Sequence, residues 1–351
     1  MKLDAGLLAA DLKSVPAFAR AAEAAGYAGL WSVETQHEAF LPLAISATVT
    51  SRISLGTSIA VAFPRSPMIT AHIAWDLANA SDGRFLLGLG SQVKAHNERR
   101  FSVKFESPAP KLREYVLALR AIWECWQNGG PLKFEGEFYH FSLMTPFFSP
   151  GPIAHPKVPV MIAGVNHLMC RVAGEVCDGL HVHPFHSPKY IREYVLPAVH
   201  EGLKKSGRAA PSPIVNRQSS IENGFTLASS CFVIVGDTET ERSKMAEEVR
   251  QQISFYASTR TYEPVLAAHG WESLNRELHH KSLQGDWKGM AALITDEMLD
   301  VFAVSGAWED LGAKLRSRYD GLLDRIALYS VRGVSPLENP RRLKLVREFN
   351  S

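Results

Sequence analysis

The chain has little of what marks several large classes of protein. Its 351 residues hold only four cysteines, at 125, 170, 177 and 231, and no two of them form a CxxC pair. That leaves no disulfide framework or common zinc spacing, and it fits buried free thiols in a reducing cytoplasm. No apolar run approaches the roughly 18 residues of a membrane-crossing helix. The apolar stretch 5–10 is short and bounded by Asp4 and Asp11, which reads as a strand rather than a signal peptide. An excess of charge is missing too. The formal net charge is +2, and no basic block interleaved with aromatics occurs, so neither nucleic acid nor a membrane is an expected partner. What remains is a globular chain, 46% hydrophobic, with ample material for a core.

Residues 52–92 carry the densest signal. Positions 53–61 form a β-branched apolar run. Ser66-Pro67 then opens a helix, with serine at the N-cap and proline at the first helical position, which stops at Ser81-Asp82-Gly83. A second apolar run, 85–89, ends in glycines. Two buried strands joined by a helix make a βαβ unit with parallel strands. The alternation recurs along the chain. Strands are expected at 2–8, 28–33, 160–163, 178–182, 225–235 and 325–329. Helices are expected at 14–26, 41–50, 110–127, 166–176, 188–206, 238–256, 311–319 and 337–349. Residues 129–159 are irregular, with a small hairpin over 132–141, and 258–308 look mostly helical. Eight strands, most followed by a helix, predict an α/β fold: a (β/α)8 TIM barrel forming one domain over 1–351, with insertions at about 129–158 and 258–308. An open doubly wound sheet is the alternative. In both, ligands belong at the C-terminal ends of the strands.

Small residues gather at those ends: Thr57, Ser58, Gly88, Gly90 and Ser91. A backbone can approach a flat ligand closely there. Gly88-Leu-Gly-Ser-Gln92 fails as a GxGxxG fingerprint, because position 93 is valine and the run follows the fourth strand. It reads instead as a close-approach loop, with Ser91 and Gln92 as hydrogen-bonding groups and a basic stretch, 94–100, behind them. Gly164-Val165-Asn166 joins a strand to a helix start, where free backbone N–H groups suit a phosphate. Glu34 and His37 close the second strand, and His181 and His183 close the sixth; all four are candidates for proton transfer. The HxH at 181–183 is also a metal pattern in barrel hydrolases. It comes late in the chain, however, and no later strand end completes a ligand set, so no metal is expected.

Five pieces carry a family likeness: Gly29-Leu-Trp-Ser-Val-Glu34, Leu55-Gly-Thr-Ser-Ile-Ala60, Gly83-Arg-Phe-Leu-Leu-Gly-Leu-Gly90, Val158-Pro-Val-Met-Ile-Ala-Gly164 and Ala173-Gly-Glu-Val-Cys-Asp-Gly179. In this order the chain resembles the bacterial luciferase-like superfamily, and within it the coenzyme F420-dependent oxidoreductases. The resemblance implies hydride transfer between a deazaflavin and a small-molecule substrate. It implies a cis peptide at Ser58–Ile59 backing the middle ring, with Gly88, Gly90, Ser91 and Gln92 lining the cofactor. Gly164, Val165 and Asn166 would hold its phosphate. Relatives carry an acidic residue followed directly by histidine, whereas here Thr35 follows Glu34 and the histidine is His37. The resemblance also implies a homodimer, and the cysteine usage a cytoplasmic one. An FMN-dependent monooxygenase and a non-catalytic ligand-binding relative remain as alternatives.

Overall fold

A computed structural model describes residues 1–8, 11–208, 224–329 and 337–350. The last two residues of the apolar stretch 5–10 lie outside them. Eight parallel strands carry the fold: β1 (Lys2–Leu7), β2 (Gly29–Ser32), β3 (Ser54–Thr57), β4 (Phe85–Gly90), β5 (Val160–Gly164), β6 (Gly179–Val182), β7 (Thr226–Val235) and β8 (Arg325–Tyr329). Each pairs with the next, and β8 returns to β1 with Arg325 opposite Lys2. The sheet closes on itself, so the architecture is a (β/α)8 barrel and the open sheet is set aside.

Helices fall where their end signals stand. Ser66 Oγ accepts from the Met68 N–H at 3.2 Å and opens helix Pro67–Ala80. Two elements depart from expectation. The run 53–61 is not one strand: β3 ends at Thr57, and Ala60–Val61 pairs separately with Leu89 and Gly90. A short parallel strand, Ala303–Gly306, pairs with Phe232–Val235. The ten-residue β7 outruns its barrel neighbours, and its upper backbone groups need this partner. The helix that follows begins at Trp308 rather than 311. In the irregular segment a hairpin pairs Phe134–Glu135 with His140–Phe141. The Glu114 carboxylate anchors it, accepting the N–H groups of Glu137, Phe138 and Tyr139 at 2.6–2.8 Å.

Strand side chains alternate between two faces. Leu3, Leu30, Leu55, Leu87, Ile162 and Leu180 are buried on the helix-facing side. The inner face is polar at its lower level. Asp4 accepts from Trp31 Nε1 at 2.7 Å and from Arg325 Nε and Nη2 at 2.8 and 2.7 Å. The Trp31 ring crosses the barrel to Met161, Ala228 and His181. A Cβ on Gly56 would sit 2.3 Å from that ring, so only glycine allows it. One alternation higher, Gly6, Val33, Ser58, Ala163, Ser230 and Ala327 share this inner face and are half-buried. Nothing lies within 4 Å of a Cβ built on Gly6. The upper barrel is therefore a cup of small residues above a tryptophan floor.

Candidate active site

The segment after β3 forms one wall of the cup. The Ser58–Ile59 peptide is cis, as expected. Ser58 N–H donates to the Ser32 carbonyl at 2.7 Å, and Glu34 N–H donates to the Ile59 carbonyl at 3.2 Å. The Glu34 carboxylate accepts from the Val61 N–H at 2.7 Å and from Arg65 Nη1 and Nη2 at 2.8 and 3.1 Å. Arg65 also reaches the Val61 carbonyl and Glu38. Both Glu34 oxygens thus engage the segment that walls the cup, an anchoring role beside the proton transfer expected of it. Glu34→Gln should lower stability by about 1.5–3 kcal/mol, the range for hydrogen bonds to a charged group. Chemical unfolding checks this, and a loss under 0.5 kcal/mol, a threshold set by the usual effect of a surface substitution, would contradict the anchoring role.

The glycines of β4 answer to the protein itself. Thr57 Oγ1 donates to the Gly88 carbonyl at 2.6 Å and accepts its N–H at 2.9 Å. A Cβ on Gly88 would lie 1.8 Å from the Thr57 carbonyl oxygen, and one on Gly90 would lie 2.6 Å from Ile59 Cδ1. Both glycines thus let β4 press against the segment that walls the cup. Ser91 and Gln92 follow, half-buried, with Gln92 at φ +57°. Asn97 Nδ2 fixes their loop by donating to the Ser91 and Val93 carbonyls at 2.8 and 3.1 Å. Lys94, His96, Arg99 and Arg100 are exposed. His37 is exposed on a turn beyond Glu34, so the structure does not gather it with the inner-face groups.

The sixth strand supplies the titratable groups that do face inward. His181 is buried against the edge of Trp31, with Nε2 unpartnered and pointing toward Gly88. Burial, helped by the Arg325 charge, pulls its imidazole down to about 3. Burial and the nearby His186 bring His183 to about 3. The Phe185 N–H donates to His183 Nδ1 at 3.1 Å. That bond makes Nδ1 the acceptor and places the proton of neutral His183 on Nε2. His183 is therefore a hydrogen-bond donor at neutral pH. Its ring stacks on Tyr262 and meets Tyr256 edge-on, both at 4.5 Å between centroids. Among the described residues, no group of three His, Cys, Asp or Glu is placed to hold a metal ion.

Three tyrosines complete the wall, and sequence reasoning gave none of them a role. Tyr329, at the inner-face end of β8, shares a 2.7 Å hydroxyl contact with Tyr256 on helix Glu239–Ala257. Tyr262 follows that helix.

The turn Gly164-Val165-Asn166 leads into helix His167–Val176. Asn166 is its exposed N-cap residue and makes no side-chain cap bond, and Tyr190 Oη donates to the Val165 carbonyl at 2.7 Å. Gly164 has no positive φ. A Cβ there would meet Leu180 Cδ1 at 2.9 Å rather than crowd the N–H groups. A cavity of about 890 Å³ opens at the opposite end of the barrel, lined in part by Arg84, Arg120 and Arg325. Those cations are spent on structure: Arg84 on the Ile53 and Thr50 carbonyls, Arg120 on Asp178 at 2.7 Å, Arg325 on Asp4. The chemistry-bearing groups gather instead at the C-terminal end, where barrel enzymes work.

Comparison with known proteins identifies the family. The profile of the luciferase-like monooxygenase family matches residues 2–325. An uncharacterised protein of Mycobacterium tuberculosis is 44% identical over 314 residues, 88% of this chain and 89% of its own. The 5,10-methylenetetrahydromethanopterin reductase of Archaeoglobus fulgidus is 26% identical over 301 residues, covering 84% and 82%. In fold, the coenzyme F420-dependent tetrahydromethanopterin reductase of Methanopyrus kandleri superposes with a TM-score of 0.75 at 20% identity, covering 99% of this chain and 97% of that one.

Proposed function

Because the chain belongs to the luciferase-like monooxygenase family, we propose that it is a coenzyme F420-dependent oxidoreductase, moving a hydride between the deazaflavin and a small organic substrate. The observation that carries this reading is the cup itself: inner-face residues as small as Gly6, Ser58 and Ala163, half-buried above a solid floor, leave a slot for a flat ring. The residues present fit the group. Ser58 and Ile59 would back the ring, while Ser91 and Gln92 would line its edge from the loop after Gly88 and Gly90. The open N-terminus at Gly164, Val165 and Asn166 offers N–H groups to the phosphate. When bound, the deazaflavin supplies the hydride chemistry at C5 of its ring.

The protein's share is position and protonation. His183, neutral and carrying its proton on Nε2, is the donor suited to an oxygen that gains negative charge. His181, two residues back on the same strand face, is neutral as well. Glu34 holds the wall, and His37 stays at the rim. Titration with F420 and with FMN tests the reading. F420 should bind the tighter of the two by about tenfold or more, a difference of about 1.4 kcal/mol. Tighter FMN binding, with oxygen consumed on reduction, would replace this reading with the monooxygenase one.

A further inference from the structure

The walls of the cup are aromatic and hydroxylic, and among the described residues its inner face carries no formal charge. His183 is held neutral, and Tyr256, Tyr262 and Tyr329 are kept protonated by burial. The Arg65 charge nearby is already held by two carboxylates, Glu34 and Glu38. A phosphate or carboxylate entering this space would lose its hydration without gaining a cation, which is costly. The two tyrosine hydroxyls lie 2.7 Å apart, so only one proton is used between them. Either hydroxyl can donate within the pair, and the proton of the other is left for a ligand. The Tyr256 ring meets the His183–Tyr262 stack edge-on, 4.5 Å from His183 between centroids, so flat rings stand beside the hydroxyl pair.

We infer that the substrate is an uncharged, planar molecule with one acceptor oxygen, an aryl or conjugated ketone or aldehyde or the matching alcohol, whose oxygen sits on the Tyr256–Tyr329 hydroxyl pair beside the His183–Tyr262 stack. This inference rests on the oxidoreductase reading only for what fills the rest of the cup. The test is binding of acetophenone labelled with ¹³C at the carbonyl, followed by NMR on the full chain saturated with whichever of F420 or FMN it binds. A hydrogen bond to the carbonyl moves its resonance downfield. Tyr329→Phe and Tyr256→Phe remove one oxygen each, and melting curves confirm that each variant folds. Each should weaken acetophenone binding about five- to tenfold, the loss of one hydrogen bond, and move the bound resonance back upfield. Glucose 6-phosphate, the anionic probe, should not displace the ketone.

Unchanged affinity and resonance in both variants would overturn the inference, as would displacement by glucose 6-phosphate. Cofactor affinity, measured alongside, separates the two readings. If FMN binds in place of F420 while the tyrosine effects persist, the cofactor assignment fails and the substrate assignment stands. If F420 binds well and neither tyrosine affects the ketone, the reverse holds.

Discussion

Asp4→Ala is expected to destabilise the barrel by about 3–5 kcal/mol, the usual cost of removing one partner of a buried ion pair. Asp4 and Arg325 are 1% and 6% exposed, and two of the guanidinium nitrogens donate to the one carboxylate. Truncation would leave a buried cation unpaired and strip Trp31 Nε1 of its acceptor. The surroundings cannot collapse onto the vacancy easily, because the inner face is built to fit the pair: a Cβ on Gly29 would already lie in contact with Arg325. Removing both charges should cost much less than removing one. Asp4→Leu with Arg325→Met is therefore expected to recover most of the loss. Urea unfolding of the single and double variants measures both. A single variant within 1 kcal/mol of the parent, below the low end of the buried-pair range, would mean the pair is compensated by groups other than Trp31. The effect reaches function through the floor, since the ring that closes the cup from below is oriented by Asp4.

The barrel was legible in the chain because its strands are short apolar runs set between capped helices. Ser66-Pro67 and the glycine after Ala25 mark helix ends by local chemistry alone. The cis peptide at Ser58–Ile59 was legible only through family likeness; nothing in the residue pattern marks it. The strand Ala303–Gly306 was not legible, since four small residues have no readable period and its partner lies about seventy residues away. The same distance hid the tyrosine pair: Tyr256 and Tyr329 are 73 residues apart and meet only because β8 and the helix after β7 converge. The anchoring role of Glu34 was hidden for a related reason: Arg65, which its carboxylate holds, lies 31 positions on. Residue types can be read from sequence, but which groups a side chain engages depends on partners far along the chain.

Acid should weaken this protein well above the range where carboxylates titrate, and the buried histidines set the window. An imidazole ordinarily titrates near 6.5, whereas burial brings His181 and His183 to about 3 and His186 to about 4. Their native forms are neutral. Above 6.5 the unfolded chain is neutral at these positions too, and they contribute no pH dependence. As pH falls below 6.5 the unfolded chain binds protons that the folded chain refuses, so stability falls with pH until the folded groups titrate near 3–4. Each histidine contributes a slope of at most about 1.4 kcal/mol per pH unit. The lowered carboxylates, Glu23, Glu106, Glu175, Glu241 and Asp286, act only at and below their ordinary 4.5 or 3.8. Between pH 6.5 and 5 the slope therefore belongs to histidine, with His269, also lowered, adding to it. His186 gives the cleanest deletion. Its Nδ1–H donates to the His183 carbonyl at 2.9 Å, a bond an asparagine amide can imitate, and its Nε2 has no partner. His186→Asn should reduce the slope of unfolding free energy between pH 6.5 and 5 by close to one histidine's share. An unchanged slope would show that His186 binds its proton equally well in the folded and unfolded chains. The same neutrality governs the site: if His183 acts as an Nε2–H donor, turnover should show no inflection near 6.5 attributable to it, and its hydrogen bond to substrate persists across the pH range in which the barrel stays folded.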